Sequence, residues 1–412
     1  MSLFGIMAVL LTLSAAFSYL NYRFFELPTT IGIMLSALMF SLALILLGHF
    51  GLPMSAWARQ LLARIDFNRT LLHGMLSFLL FAGSLRVNIN DLAREKWIVA
   101  LLALGGVVVS TAIVGLMAWW VLGLLGFHFP LMYGLLFGAL ISPTDPVAVL
   151  GIVKSAGASE VLETRISGES LFNDGVGVVL FVILLQIAVG GGSPTVTGVA
   201  ELFLREALGG ALFGLAIGWL AYLLLKSVDD YHVEVLITLA LVAGGYHLAD
   251  HLGLSGPIAT VVAGLLIGNH GRALAMSERT RGHLDSFWEL VDEIMNAVLF
   301  LLIGLEVLQI AMPGSFIIAG VLMIPVVLLA RLVSVGIPVA LTEAPCRSTL
   351  QVVNVMTWGG LRGGIAVALA LSLPPGHLRD LIITMTYAVV VFSIVVQGLT
   401  IGPLIARSTA ID

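Results

Sequence analysis

Long apolar runs follow one another along almost the whole chain. A helix that crosses a lipid bilayer needs about 20 mostly apolar residues, and runs of that length recur throughout this sequence. The runs are continuous, whereas the strands of a membrane β-barrel alternate between apolar and polar residues. The sequence therefore predicts an all-α polytopic membrane protein with about 13 transmembrane helices, at 3–20, 29–48, 69–86, 97–123, 130–152, 167–190, 207–226, 232–250, 255–270, 286–309, 315–341, 347–372 and 379–406.

The composition excludes most soluble classes of protein. Hydrophobic residues make up 59% of the 412 residues and charged residues only 10%, whereas a soluble domain carries about 25% charged residues. The mean hydropathy is +1.09, which excludes a cytosolic enzyme and a disordered chain. The net charge of −5 excludes the basic surface of a nucleic-acid-binding protein. Cys346 is the only cysteine, so neither a disulfide framework nor a cysteine-based metal site is expected.

The distribution of Lys and Arg predicts the orientation in the membrane. With the N-terminus outside, 12 of the 19 basic residues fall in inside segments, five fall outside, and Arg331 and Arg362 lie within spans. We therefore expect an outside N-terminus and a cytoplasmic C-terminus. Three of the five exceptions lie in Trp57–Arg69, which is expected to lie flat on the membrane surface. The loops are short, so residues 1–412 are predicted to form one membrane transporter domain without a soluble tail domain.

Two of the predicted spans contain residues that interrupt a helix. The span at 130–152 contains Ser142-Pro143-Thr144-Asp145-Pro146, and the span at 347–372 contains Trp358-Gly359-Gly360-Leu361-Arg362-Gly363-Gly364. Interrupted helices at matching places in two halves of a chain indicate a transporter built from inverted repeats. The second to sixth and the ninth to thirteenth spans each hold five helices with the break in the fourth. The second repeat begins seven helices after the first. Because seven is an odd number, the two repeats cross the membrane in opposite directions.

Five ionisable residues lie within the predicted spans or their breaks. Such residues are costly in a membrane, so each is a candidate for function. Asp145, Glu169 and Asp174 supply three negative charges, whereas Arg331 and Arg362 supply two positive ones. The remaining negative charge suits a site that binds one cation or one proton.

One face of the sixth span carries Glu169, Ser170, Asn173 and Asp174, which fall within roughly 140° of one another. Oxygen ligands of these types suit Na⁺ or another small monovalent cation. Asp174 lies deepest, so we predict that it exchanges the cation for a proton, because burial penalises its charge. Thr144, in the first break, would offer a hydroxyl or carbonyl oxygen. The alternative is a polar patch that only packs helices together.

The other charged residues are expected to support this site. Asp145 precedes a proline, which suits the N-cap of a new half-helix, and Arg362 is placed to neutralise a helix C-terminus. Both could equally stabilise the crossing without contacting the transported ion. Arg331 would pair with Glu169, which leaves Asp174 free; the alternatives are a pair with Asp145 or a side chain that extends to water.

Other polar positions carry weaker signals. Glu289, Asp292, Glu293 and Asn296 form a stripe on one helix face, which favours a solvated helix end over a cation-attracting vestibule. His73 and His247 are more typical of hydrogen-bonded packing than of a pH sensor. Gly253-Leu254-Ser255-Gly256, near His247 and His251, fits an intramembrane serine protease, although Pro257 indicates that Ser255 starts a helix.

The motifs Ser142–Pro146, Gly168–Asp174 and Gly359–Gly363 resemble those of the monovalent cation/proton antiporters of the NhaP type, a branch of the sodium/hydrogen exchangers. This resemblance extends over essentially the whole chain. It implies the NhaA-like fold, with inverted five-helix repeats and two crossed broken helices. It also implies a homodimer, with core helices roughly at 97–190 and 315–406, dimerisation helices roughly at 3–86 and 232–309, and a linker helix roughly at 207–226.

The resemblance further implies a secondary active transporter rather than an enzyme. The compact chain favours a bacterial or archaeal cell membrane. Its partners would be monovalent cations, protons and the lipid bilayer, with no cofactor and no nucleic acid. Asp174 would bind the cation (Na⁺) or proton, and the ligands or their supports would be Asn173, Ser170, Thr144 and Glu169. The Asn-Asp pair accompanies electroneutral exchange in this family. The chain ends soon after the last span, so regulation by a cytoplasmic tail is not expected.

The expected mechanism is alternating access of one site that holds either a cation or a proton. With an inward proton gradient, such a protein expels Na⁺ and imports H⁺. Exchange of K⁺, or of Na⁺, Li⁺ and K⁺ alike, is the first alternative, since all are hard monovalent cations. A Na⁺-coupled solute carrier is less favoured because no anchoring groups for a solute are evident, and a channel is disfavoured by the paired deep charges.

Overall fold

The computed structural model describes residues 3–50, 74–145, 147–190, 196–310, 313–342 and 347–409. Throughout these ranges the regular structure is helical, which confirms the predicted all-α fold. Among the described residues, eight helical segments are long and apolar enough to cross a membrane: Phe4–Phe25, Thr29–Gly48, Lys96–Leu124, Glu160–Val189, Glu201–Lys226, Tyr231–His251, Gly314–Thr342 and His377–Ala406. Two further apolar helices are shorter, at Leu76–Leu85 and Leu131–Ile141.

Nineteen α-helices follow one another in the described residues. The first nine are α1 (Leu3–Leu20), α2 (Thr29–His49), α3 (Leu76–Leu85), α4 (Ile89–Arg94), α5 (Lys96–Ala100), α6 (Val107–Leu124), α7 (Leu131–Ile141), α8 (Val147–Ser155) and α9 (Glu160–Gly190). The others are α10 (Val196–Lys226), α11 (Tyr231–His251), α12 (Gly256–Leu266), α13 (Arg272–Leu274), α14 (Glu278–Glu306), α15 (Gly314–Thr342), α16 (Arg347–Trp358), α17 (Gly364–Leu371), α18 (His377–Phe392) and α19 (Gly398–Thr409). Four π-helical turns continue some of these helices, at Asn21–Phe25, Leu101–Gly106, Ile267–Gly271 and Ser393–Gln397.

Polar side chains fix several helix starts. The Asp230 carboxylate accepts hydrogen bonds from the backbone amides of His232 and Val233 and caps α11. The amide of His232 thereby holds the pKa of Asp230 below its usual range. The Ser255 hydroxyl accepts a hydrogen bond from the amide of Ile258 and caps α12. This role agrees with a helix start at Ser255 and accounts for the residue without protease chemistry.

Several helices extend beyond the spans predicted from hydropathy. Helix α9 starts at Glu160 rather than 167, α10 at Val196 rather than 207, and α14 at Glu278 rather than 286. A hydropathy scan detects only the part of a helix at lipid depth, and polar first turns continue into water. Acidic residues such as Glu160 also favour a helix N-terminus. The number of spans, about 13 by the bilayer-length rule, stays a prediction.

The third predicted span, 69–86, is only partly described. Helix α3 covers Leu76–Leu85, and residues 51–73 lie outside the described ranges. The predicted surface helix at Trp57–Arg69 and the predicted packing histidine His73 also fall there.

The two predicted breaks lie between α7 and α8 and between α16 and α17. At Gly138, α7 approaches α6 so closely that a Cβ would overlap the carbonyl oxygen of Thr111. Such close approach of small residues is typical of membrane helix pairs. Helix α9 packs against α7, and α15 packs against α16, so each broken helix is flanked by an unbroken one.

Candidate functional site

The two breaks cross in direct contact. The backbone amide of Asp145, in the first break, donates a hydrogen bond of 2.8 Å to the carbonyl oxygen of Leu361, in the second. Interrupted helices leave backbone groups that lipid cannot satisfy. In this crossing each break supplies a partner to the other, which explains how both persist within the membrane.

Arg362 neutralises the C-terminal end of the half-helix α7. Its Nη1 atom donates hydrogen bonds to the carbonyl oxygens of Ser142 (2.6 Å) and Pro143 (2.9 Å). The side chain is buried, and its backbone amide donates to the Ser393 hydroxyl at 2.9 Å. A cation at a helix C-terminus is favourable because the carbonyl groups there carry partial negative charge. Arg362, in the second break, thus neutralises the end of the half-helix that leads into the first break.

Asp145 shows the complementary arrangement. Its carboxylate lies so close to Gly363 that a Cβ at that position would overlap Oδ2. Gly363 is the N-cap residue of α17, where a negative charge is favourable. The sequence predicts Asp145 as the cap of its own half-helix, which starts at Pro146, outside the described residues. That cap stays a prediction, and the structure places the carboxylate also at the start of the half-helix in the second break.

Arg331 and Glu169 form a buried ion pair. Nη2 of Arg331 donates to Oε2 of Glu169 at 2.9 Å, and Nη1 donates to Oε1. The two side chains are only 7% and 2% exposed. Arg331 also donates from Nε and Nη2 to the carbonyl oxygen of Met356 in the last turn of α16, at 3.3 and 3.1 Å. One arginine therefore compensates Glu169 and the C-terminal end of the second half-helix.

Thr144, Ser170 and Asn173 form a connected hydrogen-bond network between the first break and α9. Asn173 donates from Nδ2 to the Thr144 hydroxyl at 2.8 Å and accepts from the Thr144 amide at 3.3 Å. The Thr144 and Ser170 hydroxyls lie 3.0 Å apart. All three side chains are buried. The network fixes three oxygen-bearing groups beside the next residue of α9, Asp174.

Asp174 is 6% exposed and lines a cavity of about 1000 Å³ that also reaches Thr144 and Asp145. Asp145 is close enough to repel it electrostatically. No ion-pair partner of Asp174 occurs among the described residues, whereas Glu169 is paired with Arg331. Asp174 is thus the deep carboxylate that a cation entering this cavity can meet.

The crossing brings together all of the predicted site residues: Thr144, Asp145, Glu169, Ser170, Asn173, Asp174, Arg331 and Arg362. Their charges sum to one negative charge when all are ionised. Within the described part of the chain, no three His, Cys, Asp or Glu side chains cluster as metal ligands. The oxygens available at the crossing come from carboxylate, amide and hydroxyl groups, which suit a hard monovalent cation.

Sequence reasoning missed three backbone contributors. The carbonyl oxygens of Ser142, Pro143 and Met356 accept hydrogen bonds from the two arginines, and backbone groups leave no signal in side-chain patterns. It also undervalued the stripe on α14: Asp292, Glu293 and Asn296 line the cavity. Predicting that this face of α14 lines a cavity requires knowing which helices pack against it.

Comparison with known proteins places this arrangement in context. A family model described as "Sodium/hydrogen exchanger, transmembrane" matches residues 9–407. The Na⁺/H⁺ antiporter NhaP of Pseudomonas aeruginosa is 49% identical over 407 residues, which cover 98% of this chain and 96% of that protein. The Na⁺/H⁺ antiporter NhaH of Halobacillus dabanensis is 38% identical over 378 residues, which cover 89% and 91%. The solved structure of the sodium proton antiporter MjNhaP1 from Methanocaldococcus jannaschii has a TM-score of 0.78 at 19% identity and covers 98% of both chains, which shows a shared fold.

Proposed function

This chain belongs to the sodium/hydrogen exchanger family, and from that premise we propose that it exchanges Na⁺ for H⁺ across a membrane at Asp174. The observation that carries the proposal is the position of Asp174. It is a buried carboxylate at the crossing of two broken helices, it lines a large cavity, and the neighbouring acid Glu169 is already paired. Asn173, Ser170 and Thr144 supply or support further oxygen ligands.

The mechanism follows from the cost of moving a bare charge through lipid. A carboxylate at the bilayer midplane is expensive, so the core changes its exposure only when Asp174 holds Na⁺ or H⁺. A single site that binds either ion, and crosses only when loaded, yields obligatory exchange. The partial charges at the ends of the half-helices stay compensated while the site changes sides. Asp145, Arg331 and Arg362 provide this compensation.

The orientation and assembly belong to the same proposal. We place the N-terminus outside and the C-terminus in the cytoplasm, so that the cavity opens towards the cytoplasm. The core, roughly 97–190 and 315–406, then moves against a dimerisation unit formed by roughly 3–86 and 232–309 in two copies of the chain. Family resemblance and the excess of basic residues in the predicted inside segments support this arrangement.

The test is cation-triggered proton movement in proteoliposomes that trap a pH-sensitive dye. With the lumen acidified, addition of Na⁺ should raise the luminal pH, and Li⁺ and K⁺ added in turn should rank the ions. Protein-free liposomes are the control. A response to K⁺ equal to or above that to Na⁺ would replace Na⁺/H⁺ exchange by K⁺/H⁺ or broad exchange. A lack of response to every cation across a range of pH would contradict antiport and favour the solute-carrier alternative.

Exchange should be independent of membrane voltage. The site carries one uncompensated negative charge, and one Na⁺ or one H⁺ neutralises it, so no net charge moves in either direction. Each unit of charge that crosses a potential of about 100 mV changes the free energy by about 2.3 kcal/mol, or roughly 50-fold in an equilibrium. The initial rate in proteoliposomes should therefore stay constant when a thiocyanate gradient imposes this potential. A clear change in rate would mean that a second proton is transported.

A further inference from the structure

The cavity that reaches Asp174 contains a second polar cluster, on α14. Asp292, Glu293 and Asn296 line its wall, although the sequence pattern favoured an ordinary solvated helix end. Asn296 is only 3% exposed, and the Asp292 side chain is 13% exposed. Asp292 and Asn296 therefore belong to an internal wall of the cavity, whereas Glu293 is exposed.

One oxygen in this wall lacks a partner. The side-chain amide of Asn296 donates from Nδ2 to Oδ1 of Asp292 at 2.9 Å, and the other carboxylate oxygen accepts from Nη2 of Arg86 at 2.9 Å. A carboxylate only accepts hydrogen bonds, so the nitrogen of the amide must face Asp292. The amide oxygen, Oδ1 of Asn296, is then left buried without a hydrogen-bond partner among the described residues. A buried acceptor of this kind is costly until it meets a donor or a cation.

The residues that line the cavity carry an excess of negative charge, which favours a cation as its ligand. Seven of the described residues that line it are acidic, and Arg86 is the single basic one among them. A cleft lined by one sign of charge concentrates ions of the opposite sign. Amide and carboxylate oxygens are the ligands that hard cations prefer. Asn296, whose amide oxygen lacks a partner, therefore lines a space in which cations are enriched.

The cluster lies on the route between the cavity and the crossing. Asn296 precedes Leu299 by about 4.5 Å along the helix axis, and Leu299 packs against Gly364 at the second break. Asn296 thus lies about one helical turn before the crossing, in a helix outside the two breaks. A cation bound there would be poised next to the exchange site without occupying it.

We propose that Asn296 and Asp292 form a second, weaker binding site for a monovalent cation, which loads Asp174 from the cavity side; this rests on the proposed function. Arg86 neutralises part of the Asp292 charge, so the cation keeps most of its water and leaves readily. A site on a route must bind strongly enough to attract an ion and weakly enough to release it. Because the cluster belongs to α14, it serves Asp174 only while Asp174 faces this cavity.

The first test is the sidedness of Na⁺ affinity. In inside-out membrane vesicles, where the cavity side is exposed, Asn296→Ala should raise the half-saturating Na⁺ concentration about three- to tenfold and leave the maximal rate unchanged. In right-side-out vesicles the same variant should match the unmodified protein. Glu289→Gln is the control, because Glu289 is exposed on the same helix and should change neither value. Equal effects on both sides, or a lower maximal rate alone, would overturn the second site.

A second variant covers a failure of Asn296→Ala to fold. Asp292→Asn keeps the shape of the side chain and leaves Arg86, whose side chain is 53% exposed, in contact with water. It should raise the half-saturating Na⁺ concentration on the cavity side only. An unchanged value would overturn the proposal.

Direct binding separates this proposal from that for Asp174. Line broadening of the ²³Na NMR signal should persist with purified Asp174→Asn protein and disappear with Asp174→Asn/Asn296→Ala. Complete loss in Asp174→Asn would remove the second site and leave the proposed exchange site standing. Full exchange by Asp174→Asn in liposomes would remove the proposed exchange site, while broadening that depends on Asn296 would still support the second site.

Discussion

Asp174→Asn should reduce cation-driven proton movement in proteoliposomes to the rate of protein-free liposomes. The amide is nearly the same size as the carboxylate, but it carries no charge for Na⁺ and releases no proton. The hydrogen bonds among Thr144, Ser170 and Asn173 do not involve Asp174, so the site around it should persist. The loss is therefore expected to be complete for every cation.

The same variant should fold at least as well as the unmodified protein. Replacing Asp174 removes a desolvated carboxylate and its repulsion by Asp145, and both changes favour the folded state. The thermal unfolding midpoint in detergent should be equal or higher. Asp229→Asn is a matched control, because Asp229 is exposed; it should leave exchange and midpoint unchanged. Retained exchange in Asp174→Asn would contradict the assignment, and a much lower midpoint would make the loss one of folding.

The general character of the fold is predictable from the sequence because the bilayer limits the choices. Continuous apolar runs of bilayer length can only be membrane helices here, and helix breakers inside such runs require compensation nearby. The charge balance also suggests a partner for Arg331, because an arginine within a span is costly alone. The structure brings Arg331 and Glu169 together, although they lie 162 residues apart in the sequence.

The remainder depends on tertiary contacts that local patterns do not encode. Asp145 has the sequence context of an N-cap for its own half-helix, and its carboxylate also lies against Gly363 in the other break. The crossing of two breaks produces this contact, and no pattern within one helix reports it. Similarly, the α14 stripe with Asn296 looks the same whether it faces bulk water or an internal cavity.

Helix ends were the least predictable feature for a related reason. The start of α14 at Glu278 lies eight residues before the predicted start at 286. It is fixed by the Ser277 cap, whose hydroxyl accepts a hydrogen bond from the Thr280 amide. The Ser277 cap sets where the helix begins. The first turns after it are too polar for a membrane span, so a scan for apolar runs does not include them.

Arg331→Gln should destabilise the protein strongly, since it leaves Glu169 buried without its partner. Removing one member of a buried ion pair costs about 3–5 kcal/mol. The variant also removes the donors to the carbonyl oxygen of Met356. Its unfolding midpoint in detergent should fall well below that of the unmodified protein. Arg94→Gln is the control, because the Arg94 side chain is 80% exposed in its pair with Asp91 and such pairs contribute about 0–1 kcal/mol.

The double variant Glu169→Gln/Arg331→Gln separates a structural role from a role in cation binding. Without an uncompensated charge, it should regain most of the lost stability, short of the roughly 1–3 kcal/mol for an unpaired Met356 carbonyl oxygen. If Asp174 exchanges the ions and Glu169 only compensates Arg331, then proton movement should return together with stability. Stability that returns without exchange would show that Glu169 or Arg331 takes part in exchange itself, beyond their pairing. A double variant as unstable as Arg331→Gln would contradict the pairing itself, because the single loss would then not come from an isolated Glu169.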